Sequence, residues 1–103
     1  MALIEVTKET FEQEVLKSEK PVLIDFNADW CGPCQMLKPT LHALADASDN
    51  YKIVSIKTDN EMELAMEFEV FSIPCLVLMK NGQEVSLKVG VQPRPVLEQM
   101  LRG

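Results

Sequence analysis

Residues 29–36 read DWCGPCQM and set two of the chain's three cysteines three positions apart around a Gly-Pro pair. Two thiols at that spacing can close a structural clip, supply half of a zinc site, or act as a reversible dithiol. A structural zinc site takes four Cys or His ligands, and beyond Cys31 and Cys34 the chain offers only Cys75 and His42. His42 is eight residues past Cys34, about 12 Å along a helix and too far to share an ion with it. No metal site is therefore expected. An inert clip remains the alternative to redox chemistry, and the surrounding elements argue for redox.

The segment before the motif, PVLIDFNA, is apolar on both faces at Val22, Leu23, Ile24 and Phe26 and reads as a buried central strand. After the motif, Leu37, Leu41, Leu44 and Ala45 recur at helical spacing through about Ala47, and Pro39 inside this helix should bend it. The cysteines thus sit at a helix start. The first N–H groups of a helix lack intrahelical partners and carry partial positive charge, so a thiolate there is stabilised and its pKa falls below about 8.5. Cys31 should face solvent at the first turn, with Cys34 shielded one turn further in and Pro33 stiffening the turn between them.

The other elements follow the same reading. Leu3–Val6 is a short β-rich run, and a helix capped by Thr7 or Thr10 runs to about Ser18 with Phe11, Val15 and Leu16 on one face. YKIVSIKTD is a second buried strand. NEMELAMEF is a short helix, with Asp59 or Asn60 as cap and Glu63 following. CLVLMK and EVSLKVG flank NGQ, a hairpin signal, and a last helix spans about Pro95 to Leu101. The order β-α-β-α-β-α-β-β-α predicts an α/β fold, a mixed sheet with helices on both faces. Met62, Met66, Met79 and Met100 read as packing residues, His42 as a surface helix residue, and Glu61, Glu63, Glu67 and Glu69 as a solvated face.

Bulk properties narrow the function. At 103 residues the chain is expected to be one domain spanning 1–103, and an apolar fraction of 47% supplies a core. A formal charge of −6 argues against nucleic acid as a partner. No apolar run approaches the ~18 residues of a membrane span, and MALIEVTKETF lacks the basic start and apolar stretch of a signal peptide. The expectation is a cytoplasmic protein in a compartment that keeps thiols reduced, without membrane association.

The segment DFNADWCGPCQ resembles the active-site segment of the thioredoxin family, FSIPCLVLMKNGQEV its cis-proline, strand and hairpin, and VGVQP its Val-Gly loop. The resemblance covers nearly the whole chain. It implies the thioredoxin fold, a central mixed sheet of about five strands flanked by four helices. It also implies a protein-disulfide reductase. No cofactor would be bound, and electrons would come from NADPH through a thioredoxin reductase. Partners would be disulfide-containing proteins and that reductase, the chain being a monomer. Position by position, Cys31 would attack a substrate disulfide, Cys34 would resolve the mixed disulfide, and Asp25 would be the buried base. Trp30, Gly32, Pro33, Ile73, Pro74, Gly90 and Val91 would bind substrate, with a cis Ile73–Pro74 bond setting the Ile73 backbone beside Cys31. The alternatives are a dedicated redox partner and a binding module within a complex.

Three positions depart from the family pattern. Cys75 stands where threonine is usual and reads as an inert buried thiol, the alternative being a third sulfur that modulates the dithiol. Ser55 replaces a lysine often found near the buried acid, which should raise the Asp25 pKa relative to chains that keep it; Lys57 lies one pleat repeat further along. Gln35 replaces a common Lys or Arg and removes a positive charge near Cys31.

Overall fold

A computed structural model describes residues 3–103. In chain order the elements are β1 (Ile4–Glu5), α1 (Lys8–Phe11), β2 (Val22–Asn27), α2 (Gly32–Ala47), β3 (Lys52–Lys57), α3 (Met62–Glu67), β4 (Cys75–Lys80), β5 (Gln83–Val89) and α4 (Arg94–Arg102). The strands form one sheet in the order β1-β3-β2-β4-β5. β1, β3 and β2 are parallel, and β4 and β5 add an antiparallel edge. The mixed sheet read from the alternating pattern is therefore present.

Side-chain alternation along the strands divides the core in two. Val22, Ile24 and Phe26 join Val54, Ile56, Cys75 and Val77 against Phe11 and Val15 and against Leu64 of α3. Leu23, Ile53, Leu76 and Leu78 face the other way, against Leu37, Leu41 and Leu44 of α2 and Leu97 and Met100 of α4. This parity fixes where the chemistry lies. Asp25 and Asn27 alternate with the first set, so both face the α2 side, where Cys34 begins the helix.

The hairpin turns at Asn81 and Gly82, both with positive φ (53° and 75°), the geometry an Asn-Gly pair accommodates. α2 runs unbroken across Pro39, which is exposed.

Several expectations need correction. The first helix continues past α1 as a wider stretch, Glu12–Leu16, in which the Lys17 N–H reaches the Glu12 carbonyl at 2.9 Å. Phe11 and Val15 are buried, but Leu16 lies a further step around the axis and is 40% exposed. Of the two caps expected, Thr7 takes the N-cap position as read, and Thr10 Oγ1 accepts from the Thr7 N–H at 3.0 Å. The N-cap of α3 is Glu61, without a side-chain capping bond; neither Asp59 nor Asn60 fills it. Asp59 is committed to Trp30, and Glu61 accepts from the Lys8 N–H at 3.0 Å. Met62 and Met66 do not pack. In so short a helix Leu64 alone turns fully inward, leaving the two methionines at 66% and 75% exposure. Met79 and Met100 are buried and His42 is on the surface, as read from the sequence.

Candidate active site

The site forms where β2 ends and α2 begins. Cys31 is the N-cap of α2 in extended conformation (φ −88°, ψ 112°), and its Sγ accepts the Cys34 N–H at 3.2 Å. The sulfur therefore occupies the place where a helix N-terminus offers an unpaired donor and partial positive charge. Cys31 and Cys34 form a disulfide, with Cα atoms 5.3 Å apart. Cys34 is fully buried. Cys31 is 5% exposed, so the expectation of a sulfur facing open solvent is too strong: the segment around Ile73 covers it, and the two cysteines pack with Ala28 and Ile73. The order of access nonetheless holds, Cys31 outermost.

The Ile73–Pro74 bond is cis. It sets the Ile73 carbonyl oxygen 3.9 Å from Cys31 Sγ. The Gly90 N–H donates to the Pro74 carbonyl at 2.8 Å, tying the loop after β5 to the proline. Gly90 has φ +94°, which penalises any side chain there. Val91 follows it at 43% exposure. Gly32 and Pro33 are exposed, and a Cβ at Gly32 would meet nothing within 4 Å, so the rim beside the sulfurs is open. Trp30 is 72% exposed and thus not core packing; its Nε1–H donates to Asp59 Oδ2 at 2.7 Å, which fixes the ring.

Behind the sulfurs lies Asp25, fully buried, with neither carboxylate oxygen hydrogen-bonded. Burial pushes its pKa up from 3.8 to about 7, opposed by the Lys38 ammonium on α2. Ser55 is directly opposite Asp25 in register, and Lys57 pairs with Asn27 instead. Lys57 Nζ turns to Asp29 (3.3 Å) and Glu5 (3.6 Å), so no β3 lysine pairs with the acid. Asn27 escaped the sequence reading. Its Nδ2 donates to Ser55 Oγ (2.8 Å) and to the Asp25 carbonyl oxygen (2.9 Å), while its own Oδ1, also buried, accepts nothing. Two-residue strand spacing from Asp25 was the signal that could have found it. A carboxylate needs donors and a carboxylic acid needs an acceptor. The side-chain atoms left unpaired on this face are all carboxylate or amide oxygens, which favours the protonated acid.

Cys75 is a buried free thiol whose side chain packs among Phe26, Val77 and Phe11, on the sheet face away from α2. Burial raises its pKa, and Glu84 and Asp25 add to the shift. Gln35 Nε2 donates to the Asp29 carbonyl at 3.2 Å. Among the described residues no three His, Cys, Asp or Glu side chains converge to hold a metal, and no helix is long and apolar enough to cross a membrane. Larger surface hollows lie elsewhere, one between β5 and α4 lined by Leu78, Val85, Val96 and Met100, and its lining includes no cysteine.

A CxxC disulfide capping a helix, over a buried carboxyl and beside a cis-proline, defines a thiol–disulfide oxidoreductase. The family model described as Thioredoxin matches residues 2–103. Thioredoxin 1 of Nostoc sp. is 43% identical over 97% of this chain and 94% of its own length. A bifunctional thioredoxin reductase/thioredoxin of Mycobacterium leprae is 44% identical over 91% of this chain, a match that spans 21% of that larger protein. Among solved structures, a mutant thioredoxin from Halobacterium salinarum superposes with a TM-score of 0.90 at 35% identity, covering 98% of this chain and 88% of that one. The chain belongs to the thioredoxin family, and it is a protein-disulfide reductase.

Two outcomes follow for Asp25. The folded chain holds its proton up to about pH 7 and the unfolded chain only to about 3.8. Between those values the folded state binds the extra proton, so stability is greatest below the lower value and is withdrawn as pH rises through the upper one. Urea unfolding of the oxidised protein should lose about 4 kcal/mol from this group between pH 4 and 8. The Asp25→Asn variant should show a correspondingly flatter profile; parallel profiles would contradict the assignment. In Ser55→Lys, an ammonium directly opposite the carboxyl should lower the Asp25 pKa in an NMR titration, and an unchanged value would count against the register argument.

Proposed function

We propose that Cys31 is the attacking nucleophile, Cys34 the resolving thiol and Asp25 its base, with NADPH supplying electrons through a thioredoxin reductase. The observation that carries this reading is the unpaired, fully buried Asp25 carboxyl on the sheet face covered by α2, the helix that bears Cys34. A thiol shielded from water needs an internal group to take its proton, and a carboxyl with a pKa of about 7 can both accept and release one near neutrality.

The cycle balances as follows. The Cys31 thiolate attacks one sulfur of the substrate disulfide, the other substrate sulfur leaves and takes a proton, and a mixed disulfide forms. Cys34 gives its proton to Asp25 and attacks Cys31 Sγ, the bond between Cys31 and the substrate breaks, and the departing substrate sulfur takes up the proton that Asp25 then releases. The substrate has gained two electrons, and the chain holds them no longer, as the Cys31–Cys34 disulfide. The reductase returns two electrons from NADPH. A reductase fused to a thioredoxin in the Mycobacterium leprae relative supports such a partner. Ile73 offers its backbone to an extended substrate segment, since its N–H and carbonyl make no backbone bond among the described residues. Gly32, Pro33, Trp30, Gly90 and Val91 form the walls of that docking surface, and Pro74, itself buried, holds Ile73 in place behind them.

Cys75 is assigned no part in turnover, because its side chain projects from the opposite sheet face. Monomeric, cytoplasmic action belongs to the same proposal, and the acidic charge of −6 disfavours a nucleic-acid partner.

Insulin reduction with NADPH and a thioredoxin reductase tests the scheme. Cys31→Ser should abolish turnover, Cys34→Ser should accumulate a substrate-linked adduct detectable by mass spectrometry, and Cys75→Thr should stay within about threefold of wild type. Loss in Cys75→Thr as deep as in Cys34→Ser would overturn the inert reading of that thiol. Full biological activity of Cys31→Ser would favour a binding module instead.

A further inference from the structure

Phe71 is 92% exposed, the most exposed large apolar residue among those described. An apolar ring of that size left in water forgoes its burial, so its position calls for an explanation. The local backbone gives the first part. α3 ends in a turn where Glu69 takes a left-handed conformation (φ 54°), with Glu69 N–H to Met66 O at 3.0 Å and Val70 N–H to Ala65 O at 2.9 Å. That paired closure is the Schellman motif, a position where glycine is usual, so a glutamate there holds the turn at some conformational cost. Val70 and Ile73 then pack inward on the core, and Phe71 between them is thrown outward. The ring is displayed by a fixed turn, not by a loose loop.

The second part is what it faces. Phe71 and Trp30 both line a cleft of about 200 Å³, together with Thr58, Val70, Ser72 and Ile73. Asp59 anchors the Trp30 ring, and Ile73, at one end of the cleft, carries the carbonyl that lies 3.9 Å from Cys31 Sγ. The cleft is therefore continuous with the point of sulfur attack. Phe71 precedes Ile73 by two residues, at most ~7 Å of extended chain. A substrate strand lying antiparallel to this segment covers the same span with two residues.

We propose that the Phe71–Trp30 cleft selects substrates whose reactive cysteine has an aromatic or large aliphatic residue within two positions of it. The occupant is that one side chain of the disulfide-bearing segment, set against the anchored Trp30 ring and the Phe71 ring that the turn displays. This rests on the reductase reading, since the span is measured from the site of mixed-disulfide formation. Phe71 acts as a specificity-determining residue. It touches no reacting atom, so its contribution enters through substrate affinity.

The test uses the full chain and two short disulfide-bridged peptides identical except for Phe or Ser two residues from one cysteine, each with the substitution tried on either side. Wild type should reduce the Phe peptide with a kcat/KM about five- to tenfold higher than the Ser peptide, the difference lying in KM. In Phe71→Ser that preference should fall below about twofold, and in Phe71→Tyr it should return. Circular dichroism and thermal unfolding of each variant show that the fold is intact. Equal kcat/KM for both peptides in wild type, or a preference that survives Phe71→Ser, overturns the cleft assignment alone. Turnover of neither peptide overturns the reductase reading and this inference together.

Discussion

A carboxyl group buried without a hydrogen-bond partner is the constraint on which this structure turns. Removing Asp25 from water is costly for the ionised form, and the fold accepts that cost in its central strand. The environment keeps the acid close to neutral pH instead of quenching it. The amide hydrogens of Asn27 are spent on Ser55 Oγ and on a backbone carbonyl, Lys57 is held by Asp29 and Glu5, and only the more distant Lys38 favours the charge. Any of these groups turned toward the carboxyl would have favoured its ionised form.

The same strand delivers the second requirement. β2 ends at Asn27, and after three intervening residues Cys31 becomes the N-cap of α2. Cys31 Sγ then accepts a helix N–H, and Cys34 is carried beneath it on the buried face. Strand parity aims Asp25 at that face, and the same parity sends the Cys75 thiol to the other. Two sulfurs and a base are thus arranged by one alternation rule and one helix start. Docking is a separate construction, made by the cis Ile73–Pro74 bond, the Gly90 loop tied to it and the two exposed rings of Trp30 and Phe71.

Much of this was legible in the residues because it depends on local pattern. The run Val22–Phe26 announced a strand buried on both faces, and a charged residue inside it announced a buried acid. The helix after the cysteines followed from the spacing of Leu37, Leu41 and Leu44, and the hairpin from Asn81–Gly82. What escaped depends on contacts between distant segments. Asp59 looks like a cap for α3 and serves Trp30 instead, a bond made across 29 positions of sequence. Asn27 and Ser55 meet only because the β2–β3 register sets them on one face. Met62 and Met66 looked like packing residues because apolar type was read without knowing that Leu64 fills the inward position of a six-residue helix. The covering of Cys31 by the Ile73 segment was likewise invisible, since a cis bond from another part of the chain brings it there.

The central claim is that the helix start makes Cys31, and not Cys34 or Cys75, the sulfur that reacts. It is tested most directly by brief alkylation of the fully reduced protein with limiting iodoacetamide at neutral pH, the modified cysteine being located by peptide mass spectrometry. The account predicts that label appears first and almost wholly on Cys31. Label appearing first on Cys34 or Cys75, or spread evenly over the three thiols, would contradict it.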